Sequence, residues 1–246
     1  MGSFKVERYN TSYSAGTAAQ SAEYDEGLRK YMLKVYNYMS SGVLLTGIIA
    51  MVVANQLVSN EAFAQALFGG PQRYLVMFAP FAFVLVMSFG AHKLKASTLQ
   101  ALFWAYAATM GLSLSVILLA YTGESVARTF FVTAAAFGGL SLFGYTTKKS
   151  LSGMGTFLMM GLFGLIIASV VNMFMGSGML DFVISVGGVL IFAGLTAYDT
   201  QRIKESYAMM ASGEAVSKGA IMGALNLYLD FVNLFLFLLR FMGSRE

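Results

Sequence analysis

Hydrophobic residues are gathered into seven long runs that are separated by short polar segments. About 20 apolar residues are enough for an α-helix to cross the hydrocarbon core of a bilayer. Each run is close to that length, so the pattern predicts seven membrane-spanning helices. We place these helices at residues 35–58, 74–91, 98–121, 129–145, 155–175, 180–198 and 220–242.

The composition agrees with this pattern. Hydrophobic residues make up 57% of the 246-residue chain and charged residues only 11%, whereas soluble domains are about 25% charged. Mean hydropathy is +0.68. We therefore predict an all-α fold, a polytopic membrane protein built as a seven-transmembrane-helix bundle.

Two polar segments lie outside the runs. Residues 1–31 are too hydrophilic for the core of a signal peptide, and we expect them to form a mobile cytoplasmic tail. The transmembrane domain then comprises residues 32–246. Residues 61–73 contain Gly69, Gly70 and Pro71 and are predicted to form a loop with room for one interfacial turn.

The basic residues orient the chain. With the N-terminus inside, twelve of the 16 Lys and Arg residues fall on the inner side and four on the outer side. The positive-inside rule therefore places the N-terminus in the cytoplasm and, after seven crossings, the C-terminus outside. A re-entrant last run would return the C-terminus to the inside, and Arg240 and Arg245 suit that arrangement equally well. The net charge of +4 reflects topology and does not indicate nucleic-acid binding.

The last run carries a carboxylate at its centre, Asp230. Placing Asp in the middle of a membrane helix costs roughly 2.5–3.5 kcal/mol, so this side chain should face protein, water or a cation. Asn226 lies four residues before Asp230 and Asn233 lies three residues after it. Helical spacing puts all three on one face. This supporting polar face predicts a helix that is buried at the centre of the bundle.

A second carboxylate, Asp199, ends the sixth run. Asp230 lies about 14 Å along the seventh helix from the same side of the membrane. The two carboxyl groups meet if the sixth and seventh helices are neighbours and the sixth helix continues past Tyr198. Such a pair shares a proton or holds a cation, and oxygen ligands favour Ca²⁺. Alternatively, Asp199 is a solvated residue paired with Arg202 or Lys95, and Asp230 is structural, bonded to Asn or Tyr neighbours.

Several function classes are disfavoured. The chain has no Cys and a single His, His92, so it has no disulfide, no thiolate metal site and no site with two imidazoles. No zinc-protease, phosphate-loop or nucleophile-elbow motif occurs. Neither Asp199 nor Asp230 has the Gly-rich context of intramembrane aspartyl proteases. We expect no enzymatic activity and no bound cofactor.

Two stretches resemble a known family. LYLDFVNLFLFLLRFMG, residues 227–243, and AYDTQRIK, residues 197–204, resemble the signatures of the Bax inhibitor family, also called the transmembrane Bax inhibitor motif family. The resemblance implies a bacterial inner-membrane member with the last helix central and two layers of three helices around it. It also implies a pH-sensitive calcium leak, as channel or exchanger, closed by aspartates that match Asp199 and Asp230.

A basic residue latches onto the aspartates in some bacterial relatives, at the cytoplasmic end of the second helix. Lys93 is the best match here, and Lys95 and His92 compete with it. Lys departs from the Arg of those relatives and cannot bridge two carboxylates with a planar fork, so the latch is expected to be weaker. His92 could add a response near neutral pH, or it is an ordinary interfacial residue.

The resemblance also implies an alternative function. Some bacterial relatives are bound by a membrane-anchored quality-control protease and modulate it. In this chain the charged stretch at residues 23–34 would be the contact.

Overall fold

The computed structural model describes residues 4–211 and 213–245, with side chains from residue 22 onward. Seven helices in this part of the chain are long and apolar enough to cross a membrane, which confirms the predicted fold class. The helices are α1 (Phe4–Ser59), α2 (Glu61–Phe68), α3 (Gln72–Gly90), α4 (Ala96–Leu118), α5 (Gly123–Thr146), α6 (Ser152–Met175), α7 (Gly178–Ser206) and α8 (Glu214–Met242), and a 3₁₀ turn, Tyr207–Met209, follows α7.

Helix α8 lies at the centre of the bundle. It packs against α1, α4, α5 and α7. Of its most apolar stretch, 67% is buried, whereas no other spanning helix exceeds 33%. The central position expected from its polar face is confirmed. The helix is unbroken from Glu214 to Met242 and is long and apolar enough to cross a membrane in one pass, which does not fit a re-entrant segment.

The other six spanning helices form two layers of three on either side of α8. In one layer α4 lies between α1 and α3, and in the other α7 lies between α5 and α6. Close approach depends on glycine at two positions: a Cβ on Gly111 would collide with the Thr46 carbonyl, and a Cβ on Gly144 with the Ala197 carbonyl. The backbones of the outer helices of opposite layers, α1 with α5 and α3 with α6, lie apart. Each such pair therefore borders a lateral cleft.

The connections define two ends of the bundle. The basic end holds the segments 91–95, 147–151 and 207–213, and the opposite end holds 60–71, 119–122, 176–177 and 243–245. At the basic end, Gln201 bonds the Leu151 N–H at 2.8 Å and the Lys149 carbonyl at 2.9 Å. At the opposite end, Arg240 and Asp181 form a salt bridge. At the basic end the contacts therefore join α7 to the connection between α5 and α6, and at the opposite end they join α7 to α8.

Three segments differ from the expectations. Residues 61–68 form helix α2 instead of a loop, because Asn60 caps its first turn by accepting from the Phe63 N–H at 3.0 Å. Helix α7 continues past Tyr198 to Ser206. The backbone of α1 runs through residue 31 without a break, since no proline interrupts residues 4–59.

The proposed division at residue 31 stays a prediction. Residues 1–3 and the side chains of 4–21 lie outside the described part. Near the boundary, Tyr31 and Met32 are buried, and the Tyr31 ring lies 5.2 Å from the Tyr207 ring. The last residues of the polar segment therefore pack on the turn between α7 and α8.

Candidate functional site

A cavity of about 1130 Å³ lies beside α8 and is walled by α3, α4, α6, α7 and α8. It begins at Arg73 and Tyr74 at the opposite end and reaches Asp199 on the way to the basic end. Most of its wall is apolar, with aliphatic, Met and Phe side chains from every helix. Polar side chains are a minority on this wall, so they are the candidates for binding an ion or a proton.

Asp230 and Asp199 both line this cavity. Asp230 is 4% exposed, and its Oδ2 atom has no hydrogen-bond partner among the described residues. Asp199 is half-buried. The extension of α7 past Tyr198 and the packing of α7 on α8 place both carboxyl groups on the wall of this one cavity, where each acts on the other. Two neighbouring carboxyl groups in an apolar setting cannot both ionise at low cost, so this arrangement is able to share a proton or hold a cation.

The two asparagines of the α8 polar face also belong to the cavity wall. Asn226 and Asn233 are half-buried and line the cavity with Asp230. Asn233 donates to the carbonyl of Leu229 at 2.8 Å, which leaves its side-chain oxygen available to the cavity. The site therefore offers two carboxyl groups and amide oxygens, a set of hard ligands that suits Ca²⁺. No group of three or more His, Cys, Asp or Glu side chains with metal-site geometry occurs in the described residues.

Tyr106 on α4 is a site residue that sequence reasoning missed. Its side chain lines the cavity and is fully buried, and its hydroxyl has no hydrogen-bond partner in the described part of the protein. A sequence signal exists: Tyr106 lies in the middle of the run 98–121, away from the interfaces where Tyr usually occurs. The cavity wall thus includes two buried oxygens, one on Tyr106 and one on Asp230, that have no hydrogen-bond partner among the described residues.

An apolar layer separates the cavity from the basic end. We define the basic-end plug as four residues, one on each of α3, α4, α7 and α8. Each lies one helical turn closer to the basic end than the last cavity-lining residue of its helix: Met87, Phe103, Ile203 and Met222. The first three are buried, at 0%, 0% and 5% exposure, and all four belong to one packed apolar cluster. At this level the bundle is therefore apolar between the cavity and the basic end.

The structure does not bring the predicted latch to the aspartates. Lys93, His92 and Lys95 are exposed in the segment that follows α3. None of the three lines the cavity or forms a salt bridge with a described carboxylate. On α3, Met87 lies between this segment and the cavity wall. The cation nearest in sequence to Asp199 is instead the exposed Arg202, one turn along α7, whose charge acts on that carboxyl group.

Known proteins resemble this chain over almost its entire length. Residues 28–246 match the family described as inhibitor of apoptosis-promoting Bax1. The chain belongs to this family. It is 47% identical over 230 residues to an uncharacterized protein of Rickettsia prowazekii, covering 94% of this chain and 96% of the relative. It is 43% identical over 228 residues to the inner membrane protein YbhL of Escherichia coli K12, covering 89% and 94%.

The residues that match the Bax inhibitor family include the whole membrane region. Asp199 and Asp230 both fall within the matched residues, as does the α3–α4 connection with Lys93. A Caulobacter vibrioides protein is 47% identical over 250 residues, covering 97% of this chain and 98% of its own length. Family and membrane character are therefore established for the entire bundle.

Proposed function

We propose that this protein is a pH-sensitive calcium leak channel or exchanger of the bacterial inner membrane, gated by Asp199 and Asp230. The observation that carries the proposal is the buried Oδ2 atom of Asp230, which has no protein partner among the described residues and lies on the wall of a deep cavity. A carboxyl group in the membrane is costly and is usually retained for ion or proton traffic. Family membership supports this proposal through the leak activity that the resemblance implies.

The cation route begins at the opposite end and runs through the cavity to the aspartates. Ca²⁺ prefers six to eight oxygen ligands, whereas two carboxyl groups and two amides supply four if each binds through one oxygen and reach only the lower limit if both carboxylates are bidentate. The ion therefore keeps part of its water and binds weakly, which suits passage better than storage. Beyond the aspartates the route is closed by Met87, Phe103 and Ile203, so conduction requires that this plug opens.

Sensitivity to pH follows because protons and cations compete for the same oxygens. Protonation of the pair removes its negative charge. The pair then attracts neither a cation nor a basic latch. The charged or titratable groups around the pair are Arg202 on α7, Tyr106 across the cavity, and His92, Lys93 and Lys95 in the segment after α3. Lys93 remains our proposed latch, engaging the aspartates when the plug rearranges.

We propose transport and not catalysis. Around the aspartates the cavity offers two carboxyl groups, two amides and the Tyr106 phenol, and Arg73, Tyr74, Ser113 and Ser169 are its other polar lining residues. No nucleophile paired with a base has been identified in that wall, whereas a proton-sharing pair serves a gate directly. The positive-inside rule orients the bundle with its basic end and the N-terminus in the cytoplasm.

Calcium flux into proteoliposomes of the purified protein, measured across the neutral pH range, tests the proposal. Asp230→Asn and, separately, Asp199→Asn should alter the flux and flatten its pH dependence. Asp25→Asn, at an exposed position on α1, is the matched control and should behave as wild type. If both cavity variants keep the wild-type flux and pH profile, the aspartates are not the gate. Wild-type flux no greater than that of empty liposomes would reject transport.

A second candidate function is supported by the exposed face of α1. Glu23, Glu26 and Lys30 are exposed on this helix, while Tyr31 and Met32 anchor it to the bundle. Such a charged helix is a suitable contact for a membrane-anchored quality-control protease. Deletion of residues 2–25 should then abolish co-purification of the protease and leave calcium flux intact. Undiminished binding would count against this segment as the contact.

A further inference from the structure

A second cavity lies on the other side of α8, in the cleft between α1 and α5. We call it the α1–α5 cleft. Its volume is about 750 Å³, its sides are formed by α1 and α5, and its floor is Phe231 of α8. None of its lining residues is shared with the aspartate cavity. Because the backbones of α1 and α5 lie apart and the two helices are bridged by the side chains of Tyr36 and Ser141, this cleft lies where lipid borders the bundle.

The length of the cleft matches one leaflet of a bilayer. Along α1 it is lined from Arg29 to Ser40, and along α5 from Tyr145 back to Ala134. Each stretch advances by eleven residues, or about 16 Å at a rise of 1.5 Å per residue. Half of the hydrocarbon core is about 15 Å. The cleft thus reaches from the membrane surface at the basic end to the middle of the bilayer.

The interior of the cleft suits hydrocarbon. Its walls are mainly Met, Leu, Phe and Ala side chains. Tyr36 and Ser141 are bonded to each other at 2.6 Å, and Ser141 is also bonded to Thr200 at 2.9 Å. These hydroxyls therefore make no demand for water, unlike those in the aspartate cavity. Gly138 leaves open space on the wall, since a Cβ there would meet nothing within 4 Å.

The mouth of the cleft is cationic. Arg29 is exposed and lines it. Lys204 lies against Tyr145, another residue of the mouth: its Nζ donates to the Tyr145 carbonyl at 2.7 Å and lies 5.5 Å from the ring centroid. The nearby Glu26 is engaged by Lys30 at 2.7 Å. Arg and Lys at a membrane surface attract anionic headgroups and bind phosphate oxygens.

We propose that the α1–α5 cleft binds an anionic phospholipid from the leaflet at the basic end. One acyl chain lies along Gly138 and Phe231, and the headgroup phosphate accepts hydrogen bonds from Arg29 and Lys204. The length of the cleft, its dry interior and its charged mouth all favour this occupant. This site is separate from the calcium proposal, and neither depends on the other.

Native mass spectrometry of the purified full-length protein tests the proposal. The protein is exchanged into nanodiscs that contain equal amounts of phosphatidylglycerol and phosphatidylcholine, and the lipids retained after release are counted. The wild type should retain one phosphatidylglycerol in preference to phosphatidylcholine. Arg29→Gln combined with Lys204→Gln should reduce that preference about tenfold, since hydrogen bonds to charged groups are the strong ones.

Two glycine variants separate acyl-chain binding from headgroup attraction. Gly138→Leu fills the cleft, whereas Gly139→Leu adds the same side chain at a neighbouring residue that also has open space but does not line the cleft. Gly138→Leu should lose the retained lipid, and Gly139→Leu should keep it. Equal retention in both glycine variants would overturn the site. So would equal retention of both lipids by the wild type, or an unchanged preference when both cations are removed.

Discussion

The rings of Tyr106 and Tyr228 meet edge to face, with their centroids 5.0 Å apart, yet only one of the two hydroxyls has a partner. The Tyr228 hydroxyl lies 2.7 Å from the Thr46 hydroxyl, which donates to the Ala107 carbonyl at 2.8 Å. The Tyr106 hydroxyl is buried without a partner in the described residues. Two neighbouring tyrosines thus differ in that the Tyr228 hydroxyl is hydrogen-bonded and the Tyr106 hydroxyl is not, within the described residues.

This difference predicts stability changes of opposite sign. Tyr106→Phe removes an unpaired buried hydroxyl and should stabilise the protein by about 1 kcal/mol, whereas Tyr228→Phe breaks a buried hydrogen bond and should cost about 1 kcal/mol. Unfolding in mixed micelles, followed by circular dichroism, measures both. A loss of stability in Tyr106→Phe would show that the hydroxyl holds a partner such as a water molecule or the transported cation.

The basic-end plug predicts a leak that depends on packing. Met87→Ala leaves a gap in a fully buried position and should lower the free energy of unfolding by about 2–5 kcal/mol. The same gap should raise calcium flux into liposomes at every pH. Met173→Ala is the control, because Met173 is 74% exposed on α6 and should change neither quantity. A destabilised Met87→Ala protein without higher flux would place the barrier elsewhere.

Asp199 and Asp230 should behave as one unit. If the two carboxyl groups share a proton or a cation, removing either one disrupts the same state, and removing both adds little. The flux change in the double Asn variant should therefore be smaller than the product of the two single changes. Asp230→Asn combined with Asp25→Asn, at a distant exposed position, should show no such coupling. Independent effects within the cavity pair would contradict a shared site.

The close approach of α5 and α7 predicts a strong effect of one methyl group. A Cβ on Gly144 would collide with the backbone carbonyl of Ala197, so Gly144→Ala should cost about 1–3 kcal/mol through forced separation of the helices. On the same helix, a Cβ on Gly139 meets nothing within 4 Å. Gly139→Ala should instead stabilise α5 by about 0.5–1 kcal/mol. Thermal unfolding of the two variants in detergent compares them directly.

The chain has no cysteine, which makes its orientation easy to test. Ser150→Cys lies at the basic end and Ser244→Cys at the opposite end, both at exposed positions. A membrane-impermeant maleimide added outside intact inner-membrane vesicles of right-side-out orientation should label Ser244→Cys and spare Ser150→Cys. The reverse labelling pattern would place the N-terminus outside the cytoplasm.

Much of this fold could be predicted from local sequence because the bilayer imposes simple constraints. Seven apolar runs of sufficient length gave seven spanning helices. The polar face of the last run indicated a central helix, since carboxyl and amide groups avoid lipid. The spacing of Asn226, Asp230 and Asn233 put them on one face, and all three line one cavity.

The remaining features depend on tertiary structure and lacked a local signal. Hydropathy falls after Tyr198, yet α7 continues, because the residues that follow form helices well and no glycine or proline occurs before Gly213. The basic-end plug combines residues from four helices, and its members look like ordinary apolar residues in the sequence. The position of Lys93 along the chain does not show where its side chain lies relative to the cavity, and in the structure it is exposed in the segment after α3 and does not line that cavity.

Asp230 and Phe231 are consecutive in α8, and successive helix residues point about 100° apart. One lines the aspartate cavity and the other forms the floor of the α1–α5 cleft. Helix α8 is therefore a partition, and any rotation that withdraws Asp230 from its neighbour also sweeps Phe231 across the lipid-facing compartment. The chemistry of the surrounding bilayer and the acidity of the solution that reaches the aspartate cavity consequently act on the same helix, so a change in either one alters the response to the other.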